Sequence, residues 1–96
     1  MNERALIAFQ YAKPEKREEL AATLVKLATA SRAEDGCLQY ELRQLTDDPN
    51  VFAFFERWAS QDALDRHFNG KDFQAFWSKR MDYLQRDVEV KFLAAI

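Results

Sequence analysis

Hydrophobic positions change their period several times along this chain, and each change predicts an element. Ala5 to Lys13 is an apolar and aromatic run that ends at Pro14, which reads as a strand covered at least partly on both faces. Pro14 suits the first turn of a helix, where its missing N–H costs nothing. Beyond it Leu20, Leu24 and Leu27 recur at spacings of four and three, with Ala21 and Ala28 beside them. That is one narrow stripe on an amphipathic helix. The helix is expected to fray over Ser31 to Ala33 and to stop by Gly36, a residue free to take positive φ.

The period then falls to two. Leu38, Tyr40 and Leu42 alternate with Gln39, Glu41 and Arg43, and Thr46-Asp47-Asp48-Pro49-Asn50 is turn chemistry. Phe52, Phe54, Glu56 and Trp58 share one face of the next strand, so the two strands form an antiparallel hairpin. Ser60 is the expected N-cap of a short helix through Asp62 to Phe68. Asn69-Gly70 interrupts it, and a longer helix is expected from about Asp72 to Leu84, carrying Phe73, Phe76, Trp77, Met81 and Leu84 on one stripe. Val88 to Ala94 alternates as a last strand. The order β-α-β-β-α-β is that of an α+β, ferredoxin-like fold, a four-stranded antiparallel sheet with helices on one face. Strands one and three carry apolar residues at both parities, Ile7, Phe9, Val51 and Phe55 among them. A sheet face of that kind left bare would exceed what soluble monomers tolerate, so a homodimer is expected.

Length and charge narrow the function classes. Ninety-six residues make one domain, 1–96, and the 48% hydrophobic content is enough to build its core. Fourteen basic against 16 acidic side chains give a formal charge of −2, without the basic surface of a nucleic-acid binder. No run approaches the roughly 18 apolar residues of a membrane span, and Met1-Asn2-Glu3-Arg4 does not open as a secretory leader. A cytoplasmic protein without membrane or nucleic-acid partners is expected. The single Cys37 excludes an intramolecular disulfide and a multi-cysteine metal site. It reads as a packed small residue.

Three polar residues stand where a simple core would not put them. His67 shares a helical stripe with Ala63, Leu64 and Phe68, and two readings fit it: a packed, hydrogen-bonded core histidine, or a proton-exchanging group working near neutrality. Arg80 falls between Phe76, Trp77 and Met81. There it either snorkels or pairs with Glu56, or it contacts an anionic substrate group. Glu56 itself lies on the aromatic face of the third strand. Tyr40, Phe54, Trp58, Phe68, Phe73 and Trp77 are core-forming or line an aromatic pocket between sheet and helices. No ligand spacing points to a metal site, and no glycine-rich loop would cradle a nucleotide phosphate.

Taken in order, the motifs resemble those of the antibiotic biosynthesis monooxygenase domain family. Lys13-Pro14 enters the first helix, and Ser31-Arg32 is followed by Glu34-Asp35-Gly36-Cys37-Leu38-Gln39-Tyr40-Glu41-Leu42, similar to the family stretch SR-x-E-x-GC-x-x-YEL. Asp48-Pro49, Phe54-Phe55-Glu56-Arg57-Trp58 with Ser60, and Ala63-Leu64 leading to His67 complete the likeness. The resemblance implies a dimeric α/β barrel with a pocket in each protomer. It further implies oxidation of a small aromatic quinol or phenol with O₂, with no flavin, haem or metal cofactor. Carried over, His67 matches the family's helix histidine and is the expected catalytic residue. Glu56 and Trp58 match its E-x-W pair, and Tyr40 its strand-two tyrosine. Arg80, Phe68, Phe73 and Trp77 complete the expected substrate contacts. Two departures matter. Asp72 stands where many members carry a second histidine. Haem degradation is not expected, because Trp77 lies about where that branch has its iron-binding histidine and Leu6 to Lys13 contains no asparagine. An isomerase using His67 as a proton shuttle, or a non-catalytic ligand-binding or dimerisation domain, are the alternatives on the same scaffold.

Overall fold

The computed structural model describes residues 2–96. Met1, the first residue of the expected domain 1–96, lies outside the described residues. The elements are β1 (Arg4–Ala12), a 3₁₀ turn (Pro14–Lys16), α1 (Arg17–Arg32), β2 (Cys37–Gln44), β3 (Val51–Trp58), α2 (Gln61–Asn69), α3 (Lys71–Trp77), α4 (Arg80–Tyr83) and β4 (Leu84–Leu93). The strands form one antiparallel sheet in the order β2-β3-β1-β4. This is the α+β, ferredoxin-like arrangement expected from the sequence. Among the described residues no helix is long and apolar enough to cross a membrane.

Leu20, Leu24, Leu27 and Ala28 bury the predicted stripe of α1 against the helix-facing side of the sheet. At the end of α1 the Arg32 side chain donates to the Tyr40 carbonyl at 2.8 Å, tying the helix to β2. Gly36 follows with φ of +84°, and a Cβ there would stand 2.5 Å from the Ala63 Cβ of α2. Only glycine meets both demands, so this position sets how closely α2 approaches the sheet. The Ser60 hydroxyl caps α2 by accepting from the Ala63 N–H at 3.1 Å, as its position predicts.

The last third of the chain departs from expectation. The single helix from Asp72 to Leu84 is two shorter helices separated at Ser78 and Lys79, and the final strand begins at Leu84 rather than Val88. Sheet pairing accounts for this. The end of β1 would otherwise leave its outer edge unpaired, and Ala12 and Tyr11 instead pair with Leu84 and Arg86. Leu84 is thereby drawn into the core, while Met81 is left exposed. Leu38 is exposed as well, because β2 breaks register between Cys37 and Gln39.

The two sheet faces differ. Phe52, Phe54, Glu56 and Trp58 of β3 and Leu6, Ala8, Gln10 and Ala12 of β1 are buried under the helices. On the other face Ile7, Phe9, Tyr11 and Phe55 are half-buried, framed by Arg57–Glu3 at 2.6 Å and Tyr11–Glu89 at 2.6 Å.

Candidate active site

The helix-covered face is not filled throughout. Between the sheet and the helices lies a cavity of about 300 Å³, a size within the range of small-molecule sites. Leu6, Ala8 and Gln10 of β1, Tyr40 of β2, Phe54 and Glu56 of β3, and Val88 and Val90 of β4 line its sheet side. Leu27, Phe68, Asn69, Phe73, Gln74, Phe76 and Trp77 line it from the helices. Asn69, Gln74 and Val90 are exposed and mark the side that meets solvent. The Gln74 side chain donates to the Phe68 carbonyl at 2.6 Å and so joins α3 to α2 at this rim.

Glu56 is the ionisable carboxyl in this wall, and it is 3% exposed. Strand periodicity puts it there: β3 alternates, and Glu56 follows Phe52 and Phe54 on the helix-facing side. The Trp58 indole N–H donates to it at 3.0 Å. Burial pushes the Glu56 carboxyl up to about 7, against the Trp58 and Tyr40 donors that favour its charged form. Near neutrality it is therefore divided between acid and base, the condition a proton acceptor needs. The Tyr40 phenol is held well above its ordinary value, first by burial and then by the charge of Glu56. It stays protonated.

His67 is buried, as its place on the inward helical stripe suggested, and it has the packed, hydrogen-bonded surroundings of the first of its two readings. Its ring packs against Trp58, with centroids 4.6 Å apart, and touches Tyr40, Phe68 and Phe73. Those last three rings line the cavity, whereas His67 is not among the lining side chains. Its Nδ1 lies 2.9 Å from a Glu34 carboxyl oxygen, and its buried Nε2 has no partner among the described residues. Burial lowers the His67 pKa below 6.5, outweighing the pull of Glu34 in the other direction. The ring is neutral at pH 7. With Nδ1–H donating to the carboxylate, Nε2 carries the free lone pair.

Arg80 sits elsewhere. It forms a two-pronged pair with Asp87, at 2.7 and 3.2 Å, and its guanidinium lies 3.8 Å above the Trp77 ring. The expected pairing with Glu56 is not made. The reason is the early start of β4, which brings Asp87 beside the short helix carrying Arg80. Trp58 is fully buried behind Glu56 and does not line the cavity. Of the residues expected at the site, Tyr40, Glu56, Phe68, Phe73 and Trp77 do converge on it.

Sequence reasoning missed Gln10. Its signal was available, because Gln10 is the polar member of the helix-facing parity of β1, with Leu6, Ala8 and Ala12. Cys37 is half-buried and its thiol is pushed up by burial and by nearby carboxylates, which fits the packing role. Among the described residues no three His, Cys, Asp or Glu side chains are grouped as a metal set would be.

Comparison with known proteins gives this geometry a family. The antibiotic biosynthesis monooxygenase family matches residues 4–79. The chain is 35% identical to the Bacillus subtilis protein named "Putative monooxygenase YcnE", over 88% of this chain and 90% of that one. It is 38% identical to an uncharacterised Synechocystis protein, sll1783, over 82% of this chain, and the match spans 54% of that longer protein. Among solved structures, Rv0793 from Mycobacterium tuberculosis superposes with a TM-score of 0.93 at 34% identity, covering 99% of this chain and 96% of that one. PA3566 from Pseudomonas aeruginosa superposes with a TM-score of 0.93 at 36% identity, covering 100% and 96%. With nearly four fifths of its length matched by one family and its whole fold shared with these relatives, the chain belongs to the antibiotic biosynthesis monooxygenase family.

Proposed function

We propose that the protein is a cofactor-independent monooxygenase that oxidises a small aromatic phenol or quinol in this cavity, with Glu56 as the proton acceptor. The observation that carries the reading is a carboxyl poised near pH 7 in a largely apolar and aromatic cavity wall. A phenol O–H presented to the ionised Glu56 gives up its proton, and the phenolate supplies the electron density that O₂ accepts. One oxygen atom enters the ring as a new carbonyl. The other leaves as water, carrying the phenolic and ring hydrogens. The substrate thus provides all four electrons, and no external reductant enters. Phe68, Phe73 and Trp77 hold the ring flat and exclude water, Tyr40 donates toward the polar end, and His67 acts from behind the wall as a positioning residue.

The test is oxygen uptake with a panel of naphthols and quinols, followed by mass analysis of products made under ¹⁸O₂. One labelled atom per product is expected, and no uptake across the panel overturns the proposal. On the same reading the protein works in the cytoplasm as a homodimer, its half-buried Ile7, Phe9, Tyr11 and Phe55 covered by a second sheet. Exposed Leu93 at the end of β4, which pairs with Ala5, extends that apolar surface. Sedimentation at micromolar concentration is expected to give twice the monomer mass, and a stable monomer refutes the assembly.

A further inference from the structure

Gln10 is a polar side chain with no structural reason to be where it is. It is 2% exposed, it lines the cavity, and its Oε1 has no partner among the described residues. A buried amide oxygen left unpaired is destabilising by roughly 1–3 kcal/mol, whereas an apolar residue of similar size would simply fill the space. Gln10 also sits at a break in the sheet. Phe9 pairs with Glu89 and Tyr11 with Arg86, so β4 slips register opposite Gln10. Irregularities of this kind re-aim side chains and recur beside active sites.

The register fixes where this amide lies relative to Glu56. On β1, Leu6 is opposite Glu56 and Ala8 is opposite Phe54, and Gln10 comes two residues further along the same face. At about 3.3 Å per residue, Gln10 stands roughly 13 Å along the strand from the row of Glu56. That is too far for the two to bond each other. Between them Ala8 and Phe54 give an apolar stretch of floor, with the small Ala8 leaving room above it. A ring with oxygens at its two opposite ends, plus a hydrogen bond of about 2.8 Å at each, has a comparable span.

We propose that Gln10 is the specificity-determining anchor of the cavity's second pole, hydrogen-bonding a ring oxygen para to the one held at Glu56. The inference rests on the phenol or quinol reading of the site and narrows it to rings oxygenated at both ends. A carboxamide suits this pole because its oxygen accepts from a hydroxyl and its nitrogen donates to a carbonyl. The same side chain thus serves a quinol substrate and a quinone product. A site that satisfies a buried polar group through its ligand discriminates against the ligand that leaves the group unpaired.

Anaerobic titration separates the possibilities, because neither ligand is then consumed. The probes are 1,4-dihydroxynaphthalene and 1-naphthol, followed by quenching of tryptophan fluorescence. The wild type should bind the diol about tenfold more tightly, the equivalent of one net hydrogen bond. In Gln10→Leu the ratio should fall to near one with 1-naphthol affinity retained, and Gln10→Met should behave likewise if the leucine variant folds poorly. A merely structural glutamine would shift both affinities together and leave the ratio alone. An unchanged ratio in the variants, or equal affinities in the wild type, overturns the anchor while leaving the phenol reading intact. Failure of both ligands to bind the wild type takes down that reading and the anchor with it.

Discussion

Two carboxyl groups in this protein each face the N–H of a ring, and their environments make them different objects. Glu34 meets His67 Nδ1 at 2.9 Å with its side chain about a quarter exposed. Glu56 meets Trp58 Nε1 at 3.0 Å with almost no exposure. The hydrogen bonds are nearly equal in length, so the bond does not set the chemistry. Burial does. In the first pair the buried partner is the histidine, and desolvation drives its pKa down. In the second the indole does not titrate, so the whole cost of burial falls on the carboxyl and raises it to about 7. Only this second pair opens onto the cavity. The contrast supports the proposed roles, proton transfer by Glu56 and support by His67, and it can be broken at several points.

The largest effect is expected at Glu56. Glu56→Gln keeps the shape and still accepts from Trp58, but it cannot take a proton. Turnover of a verified substrate should fall by on the order of 10²–10⁴-fold. The rise of kcat/KM with pH through about 7, expected in the wild type, should vanish with it. Retention of both rate and limb in the variant would move the base elsewhere.

The same carboxyl should be visible in stability without any substrate. The unfolded Glu56 ionises near 4.5 and the folded one near 7, so across that interval the unfolded state loses its proton first. Stability should therefore decline as pH rises from 4.5 and level off above 7, by about 3 kcal/mol in total from this group. His67 acts at the other end. Its folded pKa is lowered, so the unfolded state takes up a proton below 6.5 while the folded one resists, and stability falls as pH drops through that region. Urea unfolding as a function of pH should show Glu56→Gln removing the first slope and sparing the second. Parallel curves for wild type and variant would mean that Glu56 ionises normally.

A smaller change should come from Trp58→Phe, which removes the indole donor and keeps an aromatic ring. The donor favours the charged carboxylate, so its loss should move the activity limb to higher pH. A hydrogen bond to a charged group contributes roughly 1.5–3 kcal/mol, which corresponds to about one to two pH units. A limb that stays put would show that Trp58 packs against Glu56 without tuning it.

How much of this was legible beforehand follows the range of the interactions. The strand and helix order, the Ser60 cap and the turn at Gly36 depend on residues close in sequence, and periodicity reveals them. Convergence of Tyr40, Glu56, Phe68, Phe73 and Trp77 follows from placing helices over one sheet face, and the family pattern supplied that placement. An ion-paired Arg80 was among the readings, but its partner was not legible, because the place of Asp87 depends on where β4 begins, and sheet pairing sets that start. The inward orientation of His67 was readable from its stripe, but whether it reaches the cavity was not, for a related reason. A helical stripe tells which side faces inward, but the depth at which Tyr40, Phe68 and Phe73 come to lie around the imidazole is settled only by packing three elements together. Gln10 was readable from parity alone and was passed over among its apolar neighbours.

The smallest effect is expected at His67, and it separates the two carboxyl regions most sharply. His67→Phe keeps a buried ring against Trp58, Tyr40 and Phe73 while removing both nitrogens. The lost bond to Glu34 is destabilising by about 1 kcal/mol, and Glu34, being part exposed, can turn to water. Against that, the variant removes the unpartnered buried Nε2, which is itself unfavourable. The two terms oppose, so unfolding free energy should change by no more than about 1 kcal/mol at pH 7. Turnover should drop less than tenfold, and the limb near pH 7 should remain, because the group that produces it is untouched. The stability slope below pH 6.5 should be lost, since no imidazole is left to titrate. The opposite result is equally readable: a fall of 10²-fold or more, with a limb below pH 6.5 in the wild type that the variant abolishes, would return the proton to His67 and leave Glu56 as the supporting group.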